Sequence, residues 1–203
     1  MASIRAPNPV GVLALALFLC APAARADALA LRAAMQKLAP AIVRVEASQG
    51  AVHGRNGMGS GVVIARERVA TNCHVVRNAA SVTVLSGTTR WEASASQAQP
   101  QNDVCILTVP GLTIMPVDLG TADVPRVGGA VMALGYSGGF ALSPSVGQIT
   151  AMHAFDGAYV IQATAGFTSG ASGGGLFDEQ GRLLGLLTFR LPARGDYFFS
   201  IPV

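Results

Sequence analysis

Ser172 stands in a run of glycines, Gly170-Ala171-Ser172-Gly173-Gly174, and His74 and Asp103 precede it in the chain. These are the three residue types that acyl transfer by a serine requires. A hydroxyl attacks, an imidazole takes its proton, and a buried carboxylate fixes the imidazole tautomer and stabilises the imidazolium. Backbone N–H groups must also face the developing oxyanion, and glycine lets the backbone come that close. Taken alone, each residue has a plainer reading: a turn serine, a core histidine, a loop-capping aspartate. Asp103, however, immediately precedes the apolar run Val104-Cys105-Ile106-Leu107, where a buried carboxylate needs a partner.

The order of the three residues separates folds. In an α/β-hydrolase the histidine follows the serine. Here the three histidines, His53, His74 and His153, all precede Ser172. His74, then Asp103, then Ser172 is the order of a chymotrypsin-like double β-barrel. The flanking segments sharpen this. Thr71-Asn72-Cys73-His74-Val75-Val76 resembles the Thr-Asn-x-His-Val-Val box of HtrA-like serine proteases. Asn102-Asp103-Val104-Cys105-Ile106-Leu107 resembles their Asp-Leu-x-Leu-Leu box. Gly170-Ala171-Ser172-Gly173-Gly174-Gly175-Leu176, followed by Gly181-Arg182-Leu183-Leu184-Gly185, resembles their serine box and the hairpin after it. Pro40-Ala41-Ile42-Val43-Arg44-Val45 and Gly59-Ser60-Gly61-Val62-Val63-Ile64 fit as well. The resemblance runs from about Leu29 to Val203.

The resemblance implies a trypsin-like serine endopeptidase acting on polypeptides, with no cofactor and no metal. Ser172 would be the nucleophile, His74 the base and Asp103 its orienting carboxylate. The N–H groups of Gly170 and Ser172 would form the oxyanion hole. Gly166, Phe167 and Thr168 would line the substrate pocket, and Thr188 would lie on the strand bordering it, where a hydroxyl often supports the aspartate. An ordinary strand threonine is the plainer reading of Thr188. No acid stands near these positions, so an uncharged, small or aliphatic substrate residue is expected there. Relatives are often trimers, which leaves a homo-oligomer open. The alternatives are a low-turnover binding module on the same fold, or an esterase. Two departures stand out. Relatives usually continue into a terminal helix beyond Pro202-Val203. Many also carry an acid where this chain has Thr164, in Gln162-Ala163-Thr164-Ala165.

The chain has 203 residues, which suits one domain with two packed halves. Its 24 glycines and 11 prolines fit many short strands joined by tight turns. Arg5, the apolar stretch from Val10 to Cys20 and the small-x-small site Ala24-Arg25-Ala26 predict a signal peptide over residues 1–26. Leu19 before Cys20 is a poor lipoprotein box. Removing residues 1–26 takes away Arg5 and Arg25 and no acid, leaving 12 basic and 11 acidic side chains. That near balance, with no basic cluster, gives no reason to expect nucleic-acid binding. A periplasmic or secreted protein is expected, with no membrane span once the signal is gone.

Export implies an oxidising compartment. The mature chain would keep Cys73, just before His74, and Cys105, two residues after Asp103. A His–Asp hydrogen bond would bring the two segments together and favour a disulfide. Two unrelated buried thiols are the alternative. Neither cysteine has a glycine-rich anion-binding loop, so a cysteine nucleophile fits poorly. His53 reads as a solvated turn residue and His153 as a surface residue at a strand end.

The predicted architecture is all-β: residues 27–203 form a chymotrypsin-like double β-barrel with a short N-terminal helix. The helical pattern spans 27–39 and stops at Pro40. The first barrel is expected at about 41–109, a linker at 110–129 and the second barrel at about 130–203. Predicted strands cover 42–47, 59–65, 68–71, 81–85, 91–97 and 104–109, then 131–135, 143–152, 159–162, 174–177, 183–188 and 198–201.

Overall fold

Ile42, Val43, Val45 and Ala47 are buried while Arg44, Glu46 and Ser48 between them are partly exposed, the two-residue period of a strand with one face inward. Twelve such segments build the fold in the computed structural model, which describes residues 33–48, 57–121, 125–155, 158–192 and 196–203. The expected signal peptide, Cys20 and His53 lie outside the described residues. The chain divides into two compact units, Met1–Met35 and Gln36–Val203, and the strands all belong to the second. Residues 33–38 are helical and pass into the 3-10 turn Ala39–Ala41 around Pro40, while residues 27–32 of the expected helix lie outside the described residues.

The first six strands are β1 (Ile42–Ser48), β2 (Gly57–Ala65), β3 (Arg68–Asn72), β4 (Ser81–Ser86), β5 (Thr89–Gln99) and β6 (Val104–Thr108). They pair antiparallel in the order β1-β2-β3-β6-β5-β4, and β1 closes on β4 through Val45 opposite Val84. The next six are β7 (Ala130–Gly135), β8 (Ser143–Phe155), β9 (Ala158–Ala163), β10 (Gly175–Asp178), β11 (Leu183–Pro192) and β12 (Asp196–Pro202). Their order is β10-β11-β12-β9-β8-β7, closed by β7 on β10 through Ala133 opposite Leu176. The fold is therefore the expected pair of six-stranded antiparallel barrels. Ile161, Leu134, Phe177 and Leu187 are wholly buried in the second barrel. Each such side chain stabilises by roughly 1.5–3 kcal/mol relative to an exposed one.

The segment between the barrels is stitched to both. Val117 N–H donates to the Val63 carbonyl of β2 (3.0 Å), and the Asp118 carbonyl accepts from Leu183 N–H of β11 (2.8 Å). Gly120 N–H returns a bond to Leu183 (2.8 Å).

The β11–β12 hairpin runs further than its sequence pattern suggests. Pairing continues to Pro192 opposite Asp196, through residues such as Arg190 that carry no apolar alternation. The partner strand decides this, not local propensity. A bulge between Leu187 and Phe189 leaves Thr188 outside the regular register, which re-aims the residues beyond it.

β3 and β6 pair with Thr71 opposite Cys105 and Asn72 opposite Val104. Continuing that register sets Cys73 N–H on the Asp103 carbonyl (3.2 Å). The Cys73 and Cys105 sulfurs are bonded in the structure, with Cα atoms 4.9 Å apart and 32 residues between them in sequence. The bridge restrains the unfolded chain, so replacing both cysteines by serine is expected to lower stability by about 3–4 kcal/mol in the chain-entropy account. A fall in the urea midpoint with an unchanged far-ultraviolet spectrum is the expected result. An unchanged midpoint would show that the bridge contributes nothing.

Candidate active site

Asp103 ends the short 3-10 turn Pro100–Asn102 by adopting a left-handed backbone, φ 54°, directly before β6. Aspartate tolerates this region better than most residues. The turn aims the carboxylate at the four-residue helix Cys73–Val76 that follows β3. His74 N–H donates to Asp103 Oδ1 at 2.8 Å, and His74 Nδ1 lies 2.6 Å from Asp103 Oδ2. An ionised carboxylate only accepts, so Nδ1 carries the proton and Nε2 keeps its lone pair. An imidazole held this way can take a proton from a hydroxyl. The His74 side chain is 42% exposed and that of Asp103 20%, so substrate can reach the ring while the carboxylate stays partly shielded.

Asn72, wholly buried, supports the pair from behind. Its Nδ2 donates to the Asp103 carbonyl (3.0 Å) and to Thr188 Oγ1 (3.1 Å). Thr188 in turn donates to the Leu186 carbonyl (2.9 Å). Thr188 thus reaches the aspartate through Asn72, by its main chain and not its carboxylate.

Ser172 lies on a loop held across the barrel junction by Ser60 of β2. Ser60 N–H donates to the Ser172 carbonyl (2.7 Å). Ser60 Oγ donates to the Gly170 carbonyl (2.8 Å) and accepts from Tyr136 N–H (2.9 Å). Gly173 N–H donates to the Leu187 carbonyl (2.8 Å). Gly170 and Gly173 have φ values of +92° and +84°, where a side chain is strained. A Cβ at Gly173 would also collide with the Ser60 carbonyl oxygen and the Thr71 hydroxyl. Among the described residues neither Gly170 N–H nor Ser172 N–H has an acceptor. The Ser172 hydroxyl donates to the Thr188 carbonyl at 3.3 Å. Burial raises the pKa of the nearby Tyr136 phenol, with the Arg44 guanidinium opposing, so this side chain adds no negative charge at neutral pH.

A shallow cleft of about 130 Å³ opens beside Ser172, lined by Phe167, Thr168, Ser169, Thr188, Phe189 and Arg190. Gly166, expected in the lining, is not among these residues; a Cβ there would meet the Phe198 ring at 3.1 Å. Thr164, standing where an acid was expected, is tied to β8: its hydroxyl accepts from Gln148 N–H (3.0 Å). His153 lies on β8, exposed and bonded to Gln162 (2.8 Å).

Residues 59–186 match the family described as Trypsin-like peptidase domain, a span that holds His74, Asp103 and Ser172. The chain belongs to this family. Among curated relatives, Serine protease Rv3671c of Mycobacterium tuberculosis is 34% identical over 142 residues, covering 64% of this chain and 35% of that protein. A probable periplasmic serine endoprotease, DegP-like, of Ectopseudomonas mendocina is 34% identical over 155 residues, covering 72% and 33%. The chain thus spans about a third of each relative. Among solved structures, the active form of the Rv3671c protease superposes with a TM-score of 0.79 at 28% identity, over 87% of this chain and 82% of that one. An HtrA-type protease, AlgW, with a tripeptide gives 0.76 at 26%, over 85% and 60%.

Sequence reading singled out the three polar residues of this peptidase-family site but assigned no role to Ser60, Asn72, Phe189 or Arg190. Ser60 carried one signal, a hydroxyl on an otherwise apolar strand, which must find a partner when buried. Ser60→Ala would leave the Gly170 carbonyl and the Tyr136 N–H without this partner, at a cost of about 1–3 kcal/mol. It is expected to slow labelling of Ser172 by a fluorophosphonate roughly tenfold, because the loop loses its fixed geometry. Labelling at the parental rate would show that the loop is positioned without it.

Proposed function

We propose that this chain is an exported serine endopeptidase that cleaves peptide bonds through an acyl-enzyme. The observation that carries the reading is the double grip of His74 on Asp103, next to a serine loop with two unengaged N–H groups. The Ser172 hydroxyl rotates from the Thr188 carbonyl toward His74 Nε2. Its oxygen attacks the substrate carbonyl carbon as the proton passes to Nε2. The N–H groups of Gly170 and Ser172 take the oxyanion. Asp103 stays ionised and stabilises the imidazolium. His74 then gives its proton to the leaving amine, the C–N bond breaks, and an ester to Ser172 remains. Water, deprotonated by His74, hydrolyses that ester and restores the serine. Export rests on the signal-like residues 1–26 and on relatives named as periplasmic endoproteases.

The alternative, a low-turnover binding module, draws on one observation: the serine hydroxyl donates to Thr188. A fluorophosphonate separates the two, because only a serine activated by its base reacts quickly.

Ser172→Ala is expected to abolish both labelling and peptide hydrolysis while leaving the fold intact. Asp103→Asn keeps the shape but favours the wrong imidazole tautomer, so kcat should fall on the order of 10⁴-fold. Steady-state hydrolysis of an unstructured protein, with circular dichroism as the folding control, measures both. Activity of Ser172→Ala within tenfold of the parent would rule out the nucleophile assignment.

A further inference from the structure

Arg190 is the one charged residue lining the cleft beside Ser172 among the described residues. Its placement follows from the β11–β12 register. Arg190 lies opposite Phe198, so the two share a face of the hairpin. Phe198 packs on Phe167, ring centroids 5.3 Å apart, and Phe167 lines the cleft. The Phe189 ring takes the other face, stacking on Phe199 at 4.7 Å, although the residue also borders the cleft. The arginine therefore stands on the face of the hairpin that looks into the cleft. It is exposed, and no carboxylate pairs with it among the described residues. No carboxylate lines the cleft either.

We propose that Arg190 selects substrates with an acidic side chain on the residue whose carbonyl Ser172 attacks. The proposal rests on the peptidase reading above. The lack of an acid near these positions gives no hold for a basic side chain, but Arg190, two residues past Thr188, supplies a cation. A cleft of about 130 Å³ that contains both Ser172 and Arg190 receives the side chain adjacent to the bond under attack. Phe167, packed on Phe198, stands in its lining, and a volume of about 130 Å³ suits a short side chain. Aspartate is short and offers two acceptor oxygens to the guanidinium fork. A lysine in the same place would face like charge with no carboxylate to offset it.

The test uses four peptides that differ only at that residue, carrying Asp, Asn, Ala or Lys, with kcat/KM measured on the full chain. Asp and Asn have nearly one shape, so their ratio isolates charge. The parent is expected to favour Asp over Asn on the order of tenfold or more, as a charge-assisted contact allows. Arg190→Gln should bring that ratio to about one, Arg190→Lys should retain part of it, and Arg190→Glu should favour Lys over Asp. Circular dichroism and fluorophosphonate labelling of each variant confirm fold and nucleophile. Hydrolysis with no preference for Asp in the parent, or a preference that survives in Arg190→Gln, overturns the role of Arg190 alone. Failure to cleave any peptide, with no labelling of Ser172, overturns the peptidase reading and this proposal together.

Discussion

Asp103 accepts four hydrogen bonds, and the rest of the site depends on that. Its carboxylate accepts from the His74 main chain and ring, and its carbonyl accepts from Cys73 N–H and Asn72 Nδ2. One residue thereby fixes a helix start, a ring orientation and the meeting of β3 with β6. The left-handed backbone at Asp103 is the cost of turning both ends of the residue toward the same neighbour. Such strain persists only where surrounding bonds hold it, and here four do.

The second barrel is coupled to this centre through small buried polar groups. Ser60 reaches from β2 to the serine loop with its N–H and its hydroxyl. Asn72 reaches Thr188, whose carbonyl holds the Ser172 hydroxyl. In a low-dielectric junction such bonds are strong when complete, and each orphaned partner is expensive. They keep the imidazole and the serine in one frame although about a hundred residues of chain separate them, and the linker bonds from Val63 to Leu183 brace the same junction.

The bulge at Thr188 divides two kinds of surface. Before it, β11 is buried barrel wall. After it, successive side chains alternate between an aromatic stack of Phe189 on Phe199 and a cationic face at Arg190. Moving that register by one residue would exchange the two faces, so the chemistry of the cleft depends on where the bulge falls.

Much of the fold was legible in the sequence, because two-residue alternation and glycine or proline punctuation are local signals. All twelve predicted strands overlap observed ones, and the fold class follows from the order of His74, Asp103 and Ser172 in boxes of known kind. Strand ends were less legible. The extension of β11 to Pro192 comes from pairing with β12, an interaction invisible in a window of a few residues. In the site, residue types and chain order pointed to the polar trio, since few side chains can do that chemistry. The partners that hold the trio could not be read the same way. Ser60 and Asn72 are ordinary strand residues until two barrels fold together and bury their hydrogen-bonding groups, and Thr188 was legible only through the family resemblance. Arg190 likewise becomes part of the cleft only through its register opposite Phe198. Local composition determined which residues could act; long-range strand pairing decided which of them meet, because a hydrogen bond or a shared face depends on distance in space and not on position in the chain.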